Sequence, residues 1–388
     1  MKTVATFLPG ASYMAFSGSG SAAQLCRYIG QMGVRRVLVV TDRPLRELGL
    51  VDPVTAALAE AGVDHAVFDG VEPDPTFGQV AAGVAAWREH GAEAVVAVGG
   101  GSSMDAAKII AAAASSDRDP HEWVGFAKIR HEVPPIYAIP TTSGTGSEAT
   151  IGSVLSDDET HEKAVISARQ LLPAAVALDP DLLMGLPGPI TAATGLDALT
   201  HAVEAYICTW DRGTARQNAA AAVKLIFRHL ETAYRDGSNR EAREGMSLAA
   251  YYAGIAINQV NVGNVHAIAH QLGGRYGIPH GLANSLVLPH VLEFTFDETR
   301  PRLAELAELA GVAEEGAGEE ANARAFIAAV RELKRAVGLP EKSEKIRPED
   351  YDYLCTLALK ECEAYPVPRM LDREGTIGIL REISEKAA

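Results

Sequence analysis

Five residues in the second half of the chain have the types and spacing of ligands for a divalent cation. Asp197 and His201 are four residues apart, so a helix would present their carboxylate and imidazole on one face. His266 and His270 repeat this spacing, and His280 follows shortly afterwards. Three imidazoles and one carboxylate suit Fe²⁺ or Zn²⁺ better than Mg²⁺ or Ca²⁺. The spacing predicts a metal centre but leaves open which of His266 and His270 is a ligand.

The alternative is that these histidines serve the core of the protein, as isolated histidines on apolar helices usually do. Two pairs at helical spacing with a further histidine nearby, His280, favour a metal over that alternative. His290, which follows a leucine and a proline, lies farther along the chain and is expected to be structural.

Small residues follow two of the apolar runs in the first half of the chain. The first loop consists of Gly99, Gly100, Gly101 and Ser102, and the second contains Thr141, Thr142 and Thr145. Glycines let the main chain approach a pyrophosphate, and the free N–H groups at a helix start bind its charge. Both loops should lie at the carboxyl edge of a parallel sheet, where open α/β folds bind ligands. Alternatively, the glycines only make strand-to-helix turns.

A third loop, at residues 18–23, fits the glycine pattern of dinucleotide-binding proteins, but the apolar run before it is short. The loop at Gly99 is therefore favoured. Asp42 ends a buried strand at the ligand edge whichever loop binds the cofactor. A carboxylate there accepts hydrogen bonds from a ribose diol and repels a 2′-phosphate, which favours NAD over NADP. Alternatively, Asp42 only caps the turn before Pro44.

The elements that must position these residues change character near the middle of the chain. Short apolar runs predict strands at 36–41, 66–68, 94–98 and 136–139, and the intervening segments predict helices at 44–61, 77–89 and 103–114. Strands that are apolar throughout are typical of a parallel sheet covered on both faces. After residue 189 only helical periodicity remains. We therefore expect a Rossmann-like α/β domain at residues 1–184 and an all-helical domain at 185–388.

Composition and charge limit the kinds of binding partner and the cellular location that we expect. The 388 residues carry a net charge of −15, which argues against a phosphate-binding surface for nucleic acid. No apolar run has the length of a membrane helix, and residues 1–10 lack the pattern of a signal peptide. The four cysteines form no CxxC pair. These features predict a cytoplasmic protein with free thiols that binds neither nucleic acid nor membranes.

Taken together, the motifs of the chain resemble those of the iron-dependent (group III) alcohol dehydrogenases. The resemblance extends over essentially the whole chain and is carried by GGGSSMDAAK at 99–108, PTTSGTGSE at 140–148, TGLDALTH at 194–201 and the histidines of 266–280. It implies a dehydroquinate-synthase-like architecture with an active-site cleft between the two domains. It also implies NAD and Fe²⁺ as cofactors, with Zn²⁺ as the other candidate metal, and a homodimer or higher homo-oligomer.

The resemblance also assigns individual residues. It implies that Asp197, His201, His266 and His280 bind the metal and that His270, beside it, assists proton transfer. The implied cofactor contacts are Asp42 at the ribose, Gly100, Gly101 and Ser102 at the pyrophosphate, Thr141, Thr142 and Thr145 nearby, and Lys163. Gly99, which begins the first loop, is expected to contact the cofactor as well.

The expected reaction is hydride transfer between a primary or secondary alcohol, or its aldehyde or ketone, and NAD(H). The metal is expected to act as a Lewis acid on the substrate oxygen, and His270 to pass the released proton towards solvent. Amide side chains at 258–264 leave substrate polarity open, because they could face the substrate or bond to the main chain. A hydroxyacid-oxoacid transhydrogenase, a dehydroquinate-synthase-like lyase and a non-catalytic regulatory protein are the alternatives.

Overall fold

The computed structural model describes residues 14–160 and 162–386. Residues 1–10, assessed above for a signal peptide, lie outside the described residues. Tyr13, which begins the short apolar run before the loop at residues 18–23, also lies outside them. Within the described ranges, no helix combines the length and apolar character needed to cross a bilayer.

In the described part of the first half of the chain, nine strands form two sheets. The strands are β1 (Ala15–Ser17), β2 (Arg36–Asp42), β3 (Asp64–Val71), β4 (Ala94–Gly99), β5 (Gly125–Phe126), β6 (Ile136–Pro140), β7 (Gly152–Ser156), β8 (Lys163–Ser167) and β9 (Ala175–Leu178). The main sheet has the order β1-β9-β6-β4-β2-β3, and all its pairs are parallel. Every residue of β4 and β6 is buried, which confirms the prediction from their continuous apolar character.

Among the described residues, five α-helices lie between these strands and cover the main sheet. They are α1 (Ser21–Gln31), α2 (Arg43–Glu47), α3 (Asp52–Glu60), α4 (Phe77–His90) and α5 (Gly101–Ala114). The predicted single helix at 44–61 is wrong, because the chain forms α2 and α3 with a break between them. Gly49 adopts a left-handed conformation in the break (φ 71°), which ends the first helix.

The smaller sheet, with the order β5-β8-β7, was not predicted from the sequence. Its antiparallel pair β7 and β8 has Val154 opposite Val165 on an exposed face, whereas Leu155 and Ile166 are buried on the other. Strands this short, with an exposed valine on each, lack the continuous apolar signal of the central strands.

The second half of the described chain forms nine α-helices, as the helical periodicity predicts. They are α6 (Gly188–Ile207), α7 (Ala215–Arg235), α8 (Arg240–Val260), α9 (Asn264–Tyr276), α10 (His280–Phe294), α11 (Phe296–Ala310), α12 (Glu319–Ala336), α13 (Tyr351–Cys362) and α14 (Arg373–Glu382). Helix α6 is buried along most of its length and packs against α7, α8 and α10. The central helix of this domain therefore carries Asp197 and His201. The fold is a parallel-sheet α/β domain followed by a helical domain.

Candidate metal and dinucleotide site

Three helices bring one aspartate and three histidines together. Helix α6 carries Asp197 and His201, α9 carries His266, and α10 begins with His280. Each side chain offers a ligand atom, and these atoms all lie within 4.8 Å of one another. Asp197, His201 and His266 are buried, whereas His280 is partly exposed at the surface of the cluster. Solvent therefore reaches the cluster at His280.

Glycine allows the start of α10 to approach α6 closely. A Cβ on Gly281 would lie 2.2 Å from the main-chain oxygen of Ala193 and 3.3 Å from the Cβ of Asp197. No side chain fits in that space, so a glycine after His280 lets its imidazole reach the cluster. The pair His280-Gly281 thus has a steric reason as well as a chemical one.

Asn284, one turn along α10, contacts three of the four cluster residues. Its Nδ2 lies 2.7 Å from Asp197 Oδ1, 3.1 Å from His266 Nε2 and 3.2 Å from His280 Nε2. Since one small group reaches all three atoms, their lone pairs converge on a common point. The sequence analysis missed Asn284, although its spacing of four from His280 places it on the same helical face.

The cluster fits a borderline divalent cation. Two imidazole Nε2 atoms and a carboxylate oxygen converge, while His201 Nδ1 and Asn284 Oδ1 are buried with no hydrogen-bond partner in the described structure. Burial lowers the pKa of His266 well below 6.5, which keeps its imidazole neutral. Burial alone would raise the pKa of Asp197, but His201 and the other imidazoles hold it below its usual value. The neutral imidazole of His266 and the ionised carboxylate of Asp197 are the forms that bind metals.

Glu204 lies behind His266 and was also missed. Its Oε2 accepts hydrogen bonds from His266 Nδ1 at 2.6 Å and from the Gly263 N–H at 2.9 Å, and its Oε1 accepts from the Val265 N–H at 2.6 Å. Burial raises the pKa of Glu204 to about 7, although the two main-chain N–H groups oppose the rise. The signal was present in the sequence, because Glu204 follows His201 by three residues on α6.

His270 has a corresponding carboxylate on a different helix. Its Nδ1 lies 2.6 Å from Oε1 of Glu361 on α13. Tyr365 donates to the same oxygen at 2.6 Å, and Gln271 donates to Oε2 at 2.6 Å. Burial opposes ionisation of Glu361, but the hydrogen bond from His270 and these other donors hold its pKa below the usual value. His270 packs face to face with His280, with the ring centroids 5.4 Å apart.

The predicted dinucleotide loops meet at the carboxyl edge of the main sheet. Gly99 ends β4, and the N–H of Thr141, just after β6, donates to its carbonyl at 2.9 Å. Helix α5 starts directly at Gly101, and Gly100 before it supplies no side-chain cap. Uncapped N–H groups at a helix start are suited to an anion.

Close contacts between small residues hold the two loops together and connect them to the metal helix. A Cβ on Gly101 would lie 2.8 Å from Cγ2 of Thr145, and one on Gly144 would lie 2.6 Å from Cβ of Thr194. Thr194 precedes Asp197 by about one turn of α6. The second loop therefore contacts the helix that presents the cluster, which places the two candidate sites side by side.

Lys108 and Asp105 of α5, whose charged groups lie 4.0 Å apart, support this loop arrangement. Lys108 of α5 is fully buried, and its Nζ donates to the carbonyls of Ser147 at 2.8 Å and Gly152 at 2.6 Å. Asp105, one turn earlier, accepts from Ser147 Oγ at 2.6 Å. Burial lowers the pKa of Lys108 to about 8. Helix α5, which follows the first loop, thus fixes the end of the second loop at Ser147.

Asp42 lies at the end of β2, beside β4, so it is near the first loop. Its Oδ1 accepts from the Leu45 N–H at 2.9 Å and caps α2. Burial raises the pKa of Asp42, and the hydrogen bond from Leu45 opposes the rise. The capping role considered from sequence is therefore present, and it uses one of the two carboxylate oxygens.

The loop at residues 18–23 lies at the edge of the sheet, after β1. The N–H of Ala22 at the start of α1 donates to Oδ2 of Asp179 at 3.0 Å, and this contact is buried. A carboxylate of the protein itself therefore occupies the helix start where a pyrophosphate would bind. The structure disfavours this loop, as its weak strand predicted.

Lys163 and the amide-rich segment before α9 complete the predicted set. Lys163 lies on β8, forms an ion pair with Asp74 and donates to Ser156 Oγ at 3.0 Å. The side-chain oxygens of Asn258 and Gln259 accept from main-chain N–H groups, each at 2.9 Å. These two amides thus bond to the main chain, which was one of the two possibilities left open.

Two family models match the chain. "Iron-containing alcohol dehydrogenase" matches residues 14–180, and "Fe-containing alcohol dehydrogenase family, C-terminal" matches residues 191–384.

Individual proteins are similar over nearly the whole chain. A 1,3-propanediol dehydrogenase of Klebsiella pneumoniae is 40% identical over 355 residues, which cover 90% of this chain and 92% of that protein. The crystal structure of a 1,3-propanediol oxidoreductase superposes with a TM-score of 0.93 at 38% identity, covering 97% of this chain and 100% of that one. A sulfoacetaldehyde reductase from Bifidobacterium kashiwanohense, solved in complex with NAD⁺, gives 0.89 at 28% identity, covering 98% and 100%.

Proposed function

The chain belongs to the iron-containing alcohol dehydrogenase family, and we propose that it is an NAD-dependent enzyme that interconverts small alcohols and their aldehydes or ketones at the Asp197 cluster. The observation that carries this proposal is the convergence of Asp197, His201, His266 and His280 within 4.8 Å, beside a glycine-rich helix start. Fe²⁺ is the proposed metal, with Zn²⁺ as the other candidate. A divalent metal supplies Lewis acidity towards the substrate oxygen, and NAD supplies the hydride acceptor.

The residues of the cluster would hold the metal and leave room for a substrate. Asp197 contributes the negative charge, and the imidazoles contribute neutral nitrogen ligands. His280, on the exposed side, marks the direction from which an alcohol would enter. A site with protein ligands on one side and access on the other is the arrangement of catalytic rather than structural metals.

His270 is the proposed proton carrier. Its Nδ1 faces Glu361, so Nε2 is the atom able to accept a proton from the substrate hydroxyl. Glu361 holds the ring orientation and stabilises the imidazolium that forms. Because His270 is about one-third exposed, the proton can then leave to solvent.

The glycine loops would orient the cofactor. Main-chain N–H groups at Gly100, Gly101 and Ser102 would bind the pyrophosphate at the start of α5, and Asp42 Oδ2 would accept from the ribose. Thr141, Thr142 and Thr145 of the second loop, together with Lys163 and the Gly99 turn, are the further proposed contacts. The loop contact with Thr194 supports a nicotinamide position near Asp197.

We also propose a domain boundary, an oligomeric state and a cellular location. A domain boundary near residues 184 and 185 is supported by the last strand ending at Leu178 and the first helix of the helical half starting at Gly188. We further propose a homodimer or higher homo-oligomer, on the basis of the family resemblance, and a cytoplasmic location, on the basis of the sequence.

A substrate panel tests the proposed function. The full-length protein is stripped of metal with a chelator and restored with Fe²⁺ or Zn²⁺. Short alcohols, diols, hydroxy acids and aldehydes are then assayed with NAD(H) and NADP(H), starting with propane-1,3-diol because of the relative named for it. Net NADH formation from an alcohol is expected. Hydride exchange without net NADH would indicate a transhydrogenase, and no nicotinamide chemistry with any substrate would contradict the proposal.

A further inference from the structure

We infer that Glu204 is a positioning residue for the metal centre, acting through His266; this inference rests on the proposed function of the cluster. Glu204 is not one of the four clustered side chains. It lies on the far side of His266 from them, on the same helix as Asp197 and His201.

The hydrogen bond to Glu204 decides which nitrogen of His266 faces the cluster. The distance from Nδ1 to Oε2 is 2.6 Å, and both side chains are almost completely buried. The main-chain N–H groups of Gly263 and Val265 donate to the two oxygens of Glu204 and favour its ionised form. An ionised carboxylate only accepts, so Nδ1 carries the proton and Nε2 keeps its lone pair for the cluster. Carboxylate contacts of this kind orient the imidazole and make it a stronger metal ligand.

The same carboxylate fixes the helix on which His266 lies. Gly263, the residue before α9, has no side-chain cap of its own, and Glu204 accepts from the N–H groups of Gly263 and Val265 instead. Glu204 thus caps α9 from α6. One side chain therefore sets both the position of α9 and the rotation of the His266 ring relative to Asp197 and His201.

Two further features indicate that the sequence accommodates this contact. A Cβ on Gly263 would lie 2.9 Å from Glu204 Oε1 and 3.1 Å from its Cδ, so glycine at this position leaves room for the carboxylate as it is placed. Among the described residues, His266 is the one basic side chain within ion-pair distance of Glu204. No lysine or arginine there competes with the imidazole for the carboxylate.

Helix α9 also provides a matched control. Glu361 forms the same carboxylate–imidazole contact, also 2.6 Å long, but with His270, which is outside the cluster of four. If carboxylate contacts stabilise α9 in general, losing either should weaken metal binding. If the role of Glu204 is specific to His266, only the loss of the Glu204 carboxylate should weaken metal binding.

The test compares Glu204→Gln, Glu361→Gln and the wild-type chain, all full-length and stripped of metal. Zn²⁺ affinity is measured by competition with a chromophoric chelator, and ligand geometry from the visible absorption of bound Co²⁺. Glu204→Gln is expected to bind Zn²⁺ about 10- to 100-fold more weakly and to change the Co²⁺ spectrum. Glu361→Gln should match the wild type in both measurements.

Wild-type affinity and an unchanged Co²⁺ spectrum in Glu204→Gln would overturn the inference, as would equal losses in both variants. A wild-type chain that binds neither metal would instead contradict the proposed function, and this role would fall with it. If Glu204→Gln does not fold, NMR of ¹⁵N-histidine-labelled, Zn²⁺-loaded wild type decides. A downfield Nδ1–H proton that persists in Glu361→Gln is expected, and its absence would overturn the inference.

Discussion

The two candidate sites lie side by side but are built from different materials. At the sheet edge, Gly99 to Ser102 offer mainly main-chain N–H groups, and small residues allow close approach. In the helical domain the site consists of side chains, and three of the four, Asp197, His266 and His280, are oriented by the buried groups of Glu204 or Asn284. The comparison teaches that the dinucleotide site requires residues without bulky side chains, whereas the metal site requires particular side chains as ligands. Truncation should therefore damage the second site most, and added volume the first.

The largest effect is expected from removing a cluster imidazole. His280→Ala should lose bound metal and reduce kcat/KM by about 1,000-fold or more, since the metal contributes several kcal/mol to the transition state. The matched control is His290→Ala on the same helix, where the imidazole is outside the cluster. Metal content by elemental analysis and turnover check both variants. Full metal content in His280→Ala would show that His280 is not a metal ligand, and the contrast between the two sites would then fail.

His270→Ala should lower kcat by about 100- to 10,000-fold, the usual contribution of a general acid or base. Unlike His280→Ala, it should keep its metal, because the structure places His270 outside the group of four. Glu361→Gln, which leaves the imidazole in place, should lower kcat less. Full turnover of His270→Ala over the whole pH range would remove the proton-transfer role.

Added volume is the corresponding test of the sheet-edge site. Gly101→Ala should cost about 1–3 kcal/mol of unfolding free energy, because its Cβ would lie 2.8 Å from Thr145. Gly100→Ala is the control, since its Cβ would meet nothing closer than 3.4 Å. Urea unfolding measures both without cofactor present. Equal losses would show that the close packing of the two loops is not what requires glycine.

The smallest effect concerns cofactor choice. Asp42→Gly should raise the NADP-to-NAD ratio of kcat/KM roughly tenfold, which corresponds to about 1.4 kcal/mol of charge repulsion removed. Asp42→Asn keeps an acceptor for the Leu45 N–H while losing the charge, so it separates capping from selectivity. An unchanged cofactor ratio in both variants would leave Asp42 with the capping role alone.

Local patterns predicted much of this molecule. Two predictions depended only on residues that are neighbours in sequence. The structure places Asp197 and His201 on one helix, and it forms strands β4 and β6 from the predicted apolar runs. Glu361 could not be found in this way, because it is 91 residues from His270 and only tertiary packing joins them. The break between α2 and α3 was missed although the sequence carries two signals for it, Gly49 after the first helix and Pro53 in the first turn of the second.

The central claim is that turnover depends on a metal held by Asp197 and the three histidines. The most direct test titrates Fe²⁺ or Zn²⁺ into the stripped wild-type chain while following metal occupancy and NADH formation from an alcohol substrate. Turnover should be absent in the stripped protein, rise in proportion to occupancy, and saturate at about one ion per chain. Undiminished NADH formation without metal would contradict the account.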